Sequence, residues 1–437
     1  MASKDRASGT HNVYERAAEI LQKLDAKQGT IKSMVYSSNS NQAIDKKRLY
    51  GLVCESLKYR ESLNQIIDAS NILKQERRLS RELAIVLCHD LLIGNGVSGR
   101  YKASMGKHRI RLQAELVKLK VKKRIKSNTE LIPSHIRLAV ANPRYVRVNT
   151  IKTNISAVQQ ALHQKYALNL VTEQVVVNQN LRVAKKTMMI DPHIPNLLLL
   201  PPNIDLHEDD LFLSGKIILQ DKASCFPAYC LNPKPSSIVI DACAAPGNKT
   251  SHLSMLMGNK GTIHAFDMDA RRLNLLKNRM CLAGCTNVIA HLGSFLAVDP
   301  KTMGHVDYIL LDPSCSGSGM LNQLESSLND EDEQVDSQSQ DRLKSLSDFQ
   351  LSLLDHALSF ETAKRVVYST CSIHQAENED VVVKALANKK KWRLMHRVLP
   401  SWKRRGLAVF DGAEHVIRVS PTEDLACGFF VAVFERV

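Results

Sequence analysis

From about residue 219 onward, short apolar runs alternate with helix-like segments, and each run stops at a turn of small residues. SIVID passes into ACAAPGNK, TIHAFD ends at Asp267, VDYILLD passes into PSCSGSG, and KRVVYST ends against Cys371. Short β-favouring runs without polar alternation belong to strands buried on both faces, as in a parallel sheet covered by helices. Between them, TSHLSMLMG, the stretch from Ala270 to about Ala283, and SLSDFQLSLLDHAL carry apolar residues at helical spacing. NVIAHL and the late GFFVAVFER supply further strands. The order of elements therefore predicts an α/β sheet with helices on both faces. Ligands bind such sheets where neighbouring strands end at their carboxyl edge, and the small-residue turns fall there.

The rest of the chain reads differently. At 437 residues and 44% hydrophobic, it can bury a large core and exceeds one ordinary domain. Up to about residue 128, YERAAEILQKLDA, KRLYGLVCESLKYRESLNQIIDASNIL and RELAIVLCHDLLIG predict helices, with Gly94 and Gly96 ending the third. From about 130 to 218 the signal is mixed. PRYVRVNTIKT and VTEQVVVNQNLRV look like strands, SAVQQALHQKY like a helix, and Pro192, Pro195, Pro201 and Pro202 break the segment after them. The expected organisation is a basic helical domain over 1–128, a small α/β platform over 129–218 and the sheet domain over 219–437. Within the last, Ser326 to Asp341 is acidic, polar and free of aromatics, as expected of a disordered insertion. The polar N-terminus does not resemble a secretory signal, and no apolar run reaches about 18 residues. With ten cysteines and no C-x-x-C pair, free thiols are expected and a metal site is not.

Charge separates the regions again. Residues 1–150 hold 29 Lys/Arg against 13 Asp/Glu, a net of +16, whereas the whole chain has +15. The remainder is therefore near neutral, at −1. Lys107 to Lys126 is the densest cluster, and Lys118, Lys120, Lys122, Lys123 and Arg124 are its candidate phosphate contacts. A one-sided excess of this size fits a polyanion surface, although a solvated helix face would use the same residues. No aromatics oppose the charge, so a membrane surface is not expected.

Asp267 lies 20 residues after Gly247, the spacing at which a dinucleotide-type fold sets an acid on ribose hydroxyls. A pyrophosphate would need G-x-G-x-x-G to bring backbone amides onto two phosphates. ACAAPGNK has one glycine, so it suits a smaller, phosphate-free adenosyl ligand. S-adenosylmethionine fits, with its adenosyl end at Asp267 and its amino-acid end at the first loop. An ordinary strand-to-helix turn would also look this way. Cys315 and Cys371 narrow the reaction. Carbon 5 of a pyrimidine is too poor a nucleophile for direct methylation, but a thiolate adding at carbon 6 makes it an enamine-type nucleophile. A proton or hydrogen bond at ring nitrogen 3 promotes that addition, and Asp312 stands three residues before Cys315. A second thiol can assist release. A base treated this way must leave its stack. Chemistry alone leaves the two cysteines interchangeable, and either one alone would more often be a buried structural thiol.

DACAAPGNKT, AFDMDARRL, LLDPSCSGSG and YSTCSIHQAENEDVV together resemble the Nol/Nop/Sun (Fmu-type) family of RNA cytosine-C5 methyltransferases. The resemblance extends upstream through ILQDKAS to PRYVRVNT, and the helical N-terminal region is most similar to the family's fifth member. It implies a Rossmann-like class I S-adenosylmethionine-dependent sheet that forms 5-methylcytosine in large-subunit ribosomal RNA. It also implies nuclear and nucleolar localisation, with a pre-ribosomal particle as a further partner. Cys371 becomes the nucleophile, Cys315 the residue that assists product release, and Asp312 and Lys249 the groups that reach the base. Cofactor contacts carry over to Cys243, Ala244, Ala245, Pro246, Gly247, Asn248, Lys249, Asp267, Arg272 and Asp312. Two departures stand out. Asp312-Pro313-Ser314-Cys315 replaces the usual Asp-Ala-Pro-Cys, and Ser294 stands where relatives often carry an adenine-binding acid. A transfer RNA enzyme and an inactive RNA-binding assembly factor are the rival readings.

Overall fold

A computed structural model of the chain describes residues 13–26, 28, 31–36, 45–133, 136, 142–171, 186–320, 337–387 and 390–437. These residues form two compact units, one ending at Leu138 and one beginning at Ala139.

The first unit is helical. Its longer helices are Val13–Asp25, Lys46–Lys58, Arg60–Ser70, Arg81–Leu92 and Lys102–Lys123. The sequence predicts one helix from Lys47 to Leu73; the structure breaks it at Tyr59 and at Asn71, which takes a left-handed φ of 52°. Asp45 and Ser80 cap their helices by accepting hydrogen bonds from backbone amides of the first turn. The basic helix buries Met105, His108, Leu112, Leu116 and Leu119, one face at three- and four-residue spacing. It ends at Lys123, earlier than the charge pattern indicates, because Arg124 turns left-handed.

The second unit contains two sheets. The smaller has strands β1 (Arg144–Val148), β2 (Asn169–Leu170), β3 (Thr187–Ile190), β4 (Leu197–Leu200) and β5 (Ile217–Leu219) in the order β2-β3-β4-β1-β5. The prolines hid β4, which lies between Pro195 and Pro201, and β3, which ends just before Pro192. Asp191 accepts hydrogen bonds from the amides of His193 and Ile194, so Pro192 and Pro195 sit in the turn, not in a strand. Of the strand expected over VTEQVVVNQNLRV, residues 172–183 lie outside the described residues.

The larger sheet comprises β6 (Ile238–Asp241), β7 (Thr262–Asp267), β8 (Val288–Leu292), β9 (Tyr308–Leu311), β10 (Arg365–Thr370), β11 (Trp392–Leu394), β12 (Ile417–Val419) and β13 (Phe429–Arg436). The order β11-β13-β10-β9-β6-β7-β8 is parallel from β10 to β8 and antiparallel where β13 joins β10. Alternate residues cover opposite faces. Val239, Leu310 and Val367 pack with Phe226 and Leu253, whereas Ile240, Ile309 and Tyr368 pack with Leu353, Leu354 and Val382. Strand order reverses about β6, with β7 and β8 added on one side and β9 and β10 on the other; ligands bind at such a switch point.

The acidic tract read as an unstructured insertion ends differently. Residues 326–336 lie outside the described residues, but Ser337–Asp341 open the helix Ser337–Ala357. Its later turns bury Ser347, Gln350, Leu353 and Leu354. Composition cannot tell the polar first turn of such a helix from an unfolded tract.

One buried cation ties the smaller sheet to the larger. Arg147 of β1 is wholly buried and donates to Gln220 Oε1 at 2.7 Å, Ser251 Oγ at 2.7 Å and the Asn248 carbonyl at 3.0 Å. Burial pushes its guanidinium down to about 10, so it remains charged at neutral pH. These bonds hold the helix Asn248–Leu256, which begins at the first cofactor-type loop.

Candidate active site

The turns after β6, β7, β9 and β10 meet around a cavity of about 480 Å³. Its lining brings together Cys243, Ala244, Ala245, Pro246, Asn248, Lys249, Asp267, Arg272, Ser294, Asp312, Cys315 and Cys371. Gly247 does not line it but makes its shape. At φ 101° it turns the chain into the helix Asn248–Leu256, and a Cβ there would lie 2.8 Å from Met280 Cε.

Asp267 is buried at the end of β7, where Oδ2 accepts the Ala245 amide at 3.2 Å and Oδ1 accepts the Asp269 amide at 3.0 Å. Arg272 donates to the Ala245 carbonyl at 2.6 Å and stands 3.6 Å from Asp267. The acid and the first loop are thus fixed to each other. Ser294 Oγ accepts the Leu296 amide and caps a short turn. The five basic candidates lie elsewhere, on and just after the Lys102–Lys123 helix of the first unit. Lys118 is paired with Glu115, Lys123 with Glu61, and Lys122 and Arg124 are exposed.

Lys249 Nζ lies 2.7 Å from Asp312 Oδ2, and Ser369 Oγ donates to Asp312 Oδ1 at 2.8 Å. Burial opposes the Lys249 charge, but Asp312 outweighs it and raises the ammonium above its ordinary range. The ammonium also sits 5.3 Å from the centre of the Phe429 ring and donates to Ser224 Oγ at 3.2 Å. Asp241, the last residue of β6, is buried; burial pushes its carboxyl up to about 7 although Thr250 donates to Oδ2 at 2.7 Å. Among the described residues its Oδ1 has no partner, so a cationic donor would complete it.

The cysteines are in contact. Their sulfurs lie 3.1 Å apart and share an S–H hydrogen bond. That hydrogen bond, with the Gly317 amide, lowers the Cys315 thiol despite burial, and the same bond keeps the proton on Cys371. The contact needs two glycines. Gly319 donates to the Cys371 carbonyl and Gly428 donates to the Gly319 carbonyl, both at 2.9 Å. A Cβ on Gly319 would fall 2.0 Å from the Gly428 carbonyl oxygen.

Known proteins share this arrangement along the chain. Residues 228–435 match the family model for the 16S rRNA methyltransferase RsmB/F. Residues 47–132 and 142–220 match the N-terminal and ferredoxin-like domains of NOL1/NOP2/Sun domain family member 5. A mouse 28S rRNA (cytosine-C(5))-methyltransferase is 44% identical over 97% of this chain and 91% of its own length. The chain belongs to the NOL1/NOP2/Sun family of RNA cytosine-C5 methyltransferases. A fission-yeast 25S rRNA (cytosine-C(5))-methyltransferase is 40% identical over 96% of this chain and 90% of its own. A solved methyltransferase homologue from Pyrococcus horikoshii is 25% identical, covers 85% of this chain and 99% of its own, and superposes with a TM-score of 0.55.

Within this family member, several lining residues escaped sequence reasoning: Ser224, Met320, Phe349 and, behind the pocket, Ser369 and Asp241. Met320 and Phe349 follow no motif and come from a turn and a helix that only folding brings to the cavity. Among the described residues, no group of His, Cys, Asp and Glu could hold a metal ion. The lowered Cys315 thiol gives a direct expectation. Iodoacetamide at pH 7, read by peptide mass spectrometry, should label Cys315 before Cys371; the reverse order would place the resting thiolate on Cys371.

Proposed function

We propose that the chain forms 5-methylcytosine in large-subunit ribosomal RNA through a covalent adduct between Cys371 and cytosine carbon 6. The observation that carries the reading is the thiol pair at 3.1 Å beside the Lys249–Asp312 pair. The ribosomal substrate is supported by the mouse and fission-yeast relatives, which span nearly the full chain.

The pocket fits S-adenosylmethionine. It falls within the volume range of small-ligand sites, has a one-glycine loop that does not suit phosphate recognition, and is lined by Asp267, whose spacing suits a ribose contact. The unpartnered Asp241 oxygen suits a cationic amino group nearby. Bound there, the cofactor supplies an electrophilic methyl group. Cys243–Lys249, Asp267 and Arg272 would hold it, with Ser294 at the adenine side.

The chain's own residues do the rest. Lys249 and Asp312 offer a donor and an acceptor side by side, which orient the flipped base and share the proton at ring nitrogen 3. Cys371 attacks carbon 6 while its proton passes to the Cys315 sulfur that it already contacts. After carbon 5 carries the methyl group, its proton is lost to solvent, the C5–C6 double bond re-forms and the C6–S bond breaks. Cys315 returns its proton to the departing Cys371 thiolate, restoring the starting pair. The net release is one proton per methyl group.

We also assign the RNA backbone to the basic helical unit, with Lys118, Lys120, Lys122, Lys123 and Arg124 as contacts. Modification within a pre-ribosomal particle in the nucleolus follows from the same substrate.

Bisulfite sequencing of RNA from cells with and without the protein tests the substrate. One large-subunit cytosine should lose its mark, and Cys371→Ala should fail to restore it; loss confined to a transfer RNA would overturn the assignment. Neutralising Lys118, Lys120, Lys122 and Lys123 together should weaken RNA binding and flatten its salt dependence by about three to four in log–log slope. An unchanged slope in a filter-binding titration would return that helix face to ordinary solvation.

A further inference from the structure

The YSTCSIHQAENEDVV motif contributes more than its cysteine. Glu377, Asn378 and Glu379 are each fully buried, at 0% exposure. A buried carboxylate is costly unless donors or a cation replace its water. Glu379 has a cation, since Arg418 donates to both of its oxygens at 2.6 Å and also to the Ile373 carbonyl at 2.9 Å. Asn378 braces the Cys371 turn, accepting from Thr370 Oγ1 at 2.5 Å and donating to the Ser372 carbonyl at 3.0 Å.

Glu377 is different. Its partners among the described residues are neutral donors. Oε1 accepts the Ser316 amide at 2.8 Å and Gln350 Nε2 at 2.9 Å, and Oε2 accepts Ser316 Oγ at 2.6 Å. Ser372 joins the cluster through Ser316, whose Oγ lies 3.2 Å from Ser372 Oγ. Burial pushes the Glu377 carboxyl up, but these donors outweigh it and hold it below its ordinary value, so the bonds are charge-assisted. Ser316 follows Cys315, and Ser372 follows Cys371. One carboxylate therefore grips the residue after Cys315 directly and, through the Ser316 hydroxyl, the residue after Cys371. Ser318 joins the same cluster, donating or accepting with Ser372 Oγ at 3.2 Å and accepting the Ile373 amide at 3.0 Å.

We propose that Glu377 is a positioning residue for methyl transfer: it pins the turns after Cys315 and Cys371 to one point and thereby sets the distance between the two thiols. Asn378 and Glu379 hold only the Cys371 side, so neither can substitute for it. Without the clamp, the Cys315 turn, which carries three further serine and glycine positions, drifts from Cys371. The S–H hydrogen bond that lowers Cys315 is then lost, and with it the proton partner for release. The inference rests on the roles proposed for the two cysteines.

The test uses the full chain with Glu377→Gln, which keeps the side chain's size but removes its charge and one acceptor. Two quantities are read on protein that still binds S-adenosylmethionine stoichiometrically: the pH midpoint of iodoacetamide labelling at Cys315, and methyl turnover at saturating RNA. The midpoint should rise by about one pH unit, a tenfold slower labelling at pH 7. Turnover should fall by about 10- to 100-fold with little change in KM for RNA, as expected when the bound complex reacts or releases slowly. A purely structural glutamate would lower stability without moving the labelling profile of the folded fraction, so an unmoved or lowered midpoint overturns the proposal and leaves the cysteine roles intact. A raised midpoint with wild-type turnover overturns both, because the thiol geometry would then not matter to the reaction. Should Glu377→Gln not fold, Ser372→Ala removes the link from Ser316 to the Cys371 turn and is judged on the same two readouts.

Discussion

The parallel pairing of β9 with β10 is the constraint on which the active site depends. Leu311 stands opposite Tyr368 and Ile309 opposite Val366, so both strands reach the same edge together. One continues through Asp312 to Cys315, the other through Ser369 to Cys371. Because side chains alternate faces, a slip of one residue would turn Asp312 and Ser369 away from each other and exchange the sets facing the two helical layers. The apolar packing of Ile309, Leu310, Val366 and Val367 against opposite layers therefore fixes more than the core. It sets the thiols 3.1 Å apart although 56 residues separate them in sequence.

Around that edge, charges are arranged so that few stand alone. Lys249 balances Asp312, Asp267 is held by the loop it faces, and Glu377 is satisfied by neutral donors from Ser316 and Gln350. Arg147 reaches from the smaller sheet to brace the helix that begins the cofactor-type loop, so the ferredoxin-like part of the chain also supports the pocket wall. Low local dielectric makes each of these pairings more consequential than a surface contact would be. The Asp241 oxygen behind the cavity is an exception, without a hydrogen-bond partner among the described residues.

Much of this was legible in the sequence because the chemistry is carried at strand ends. The strands β6 to β10, the helix from Ala270 to Ala283, the single-glycine loop and both cysteines are marked by apolar runs that stop at small residues. What composition and periodicity missed has definite causes. β4 hides between Pro195 and Pro201, which belong to turns, and β3 ends just before Pro192. The long N-terminal helix breaks at Tyr59 and Asn71, neither a glycine nor a proline. Ser337–Asp341 reads as unstructured because the first turn of a helix can be as polar as an unfolded tract. Glu377 was part of a quoted motif, yet nothing in one sequence tells a buried carboxylate from a solvated one. Its meaning lies in Ser316, about sixty residues earlier, which only the β9–β10 pairing brings near.

The central claim is that Cys371 bonds to the base and Cys315 lets it go. It is tested most directly with substrate RNA carrying 5-fluorocytidine, in which no carbon 5 proton can be removed and the adduct persists. After incubation with S-adenosylmethionine and digestion, mass spectrometry should find the modified nucleotide on the peptide containing Cys371. A nucleotide on the peptide containing Cys315 would contradict the account.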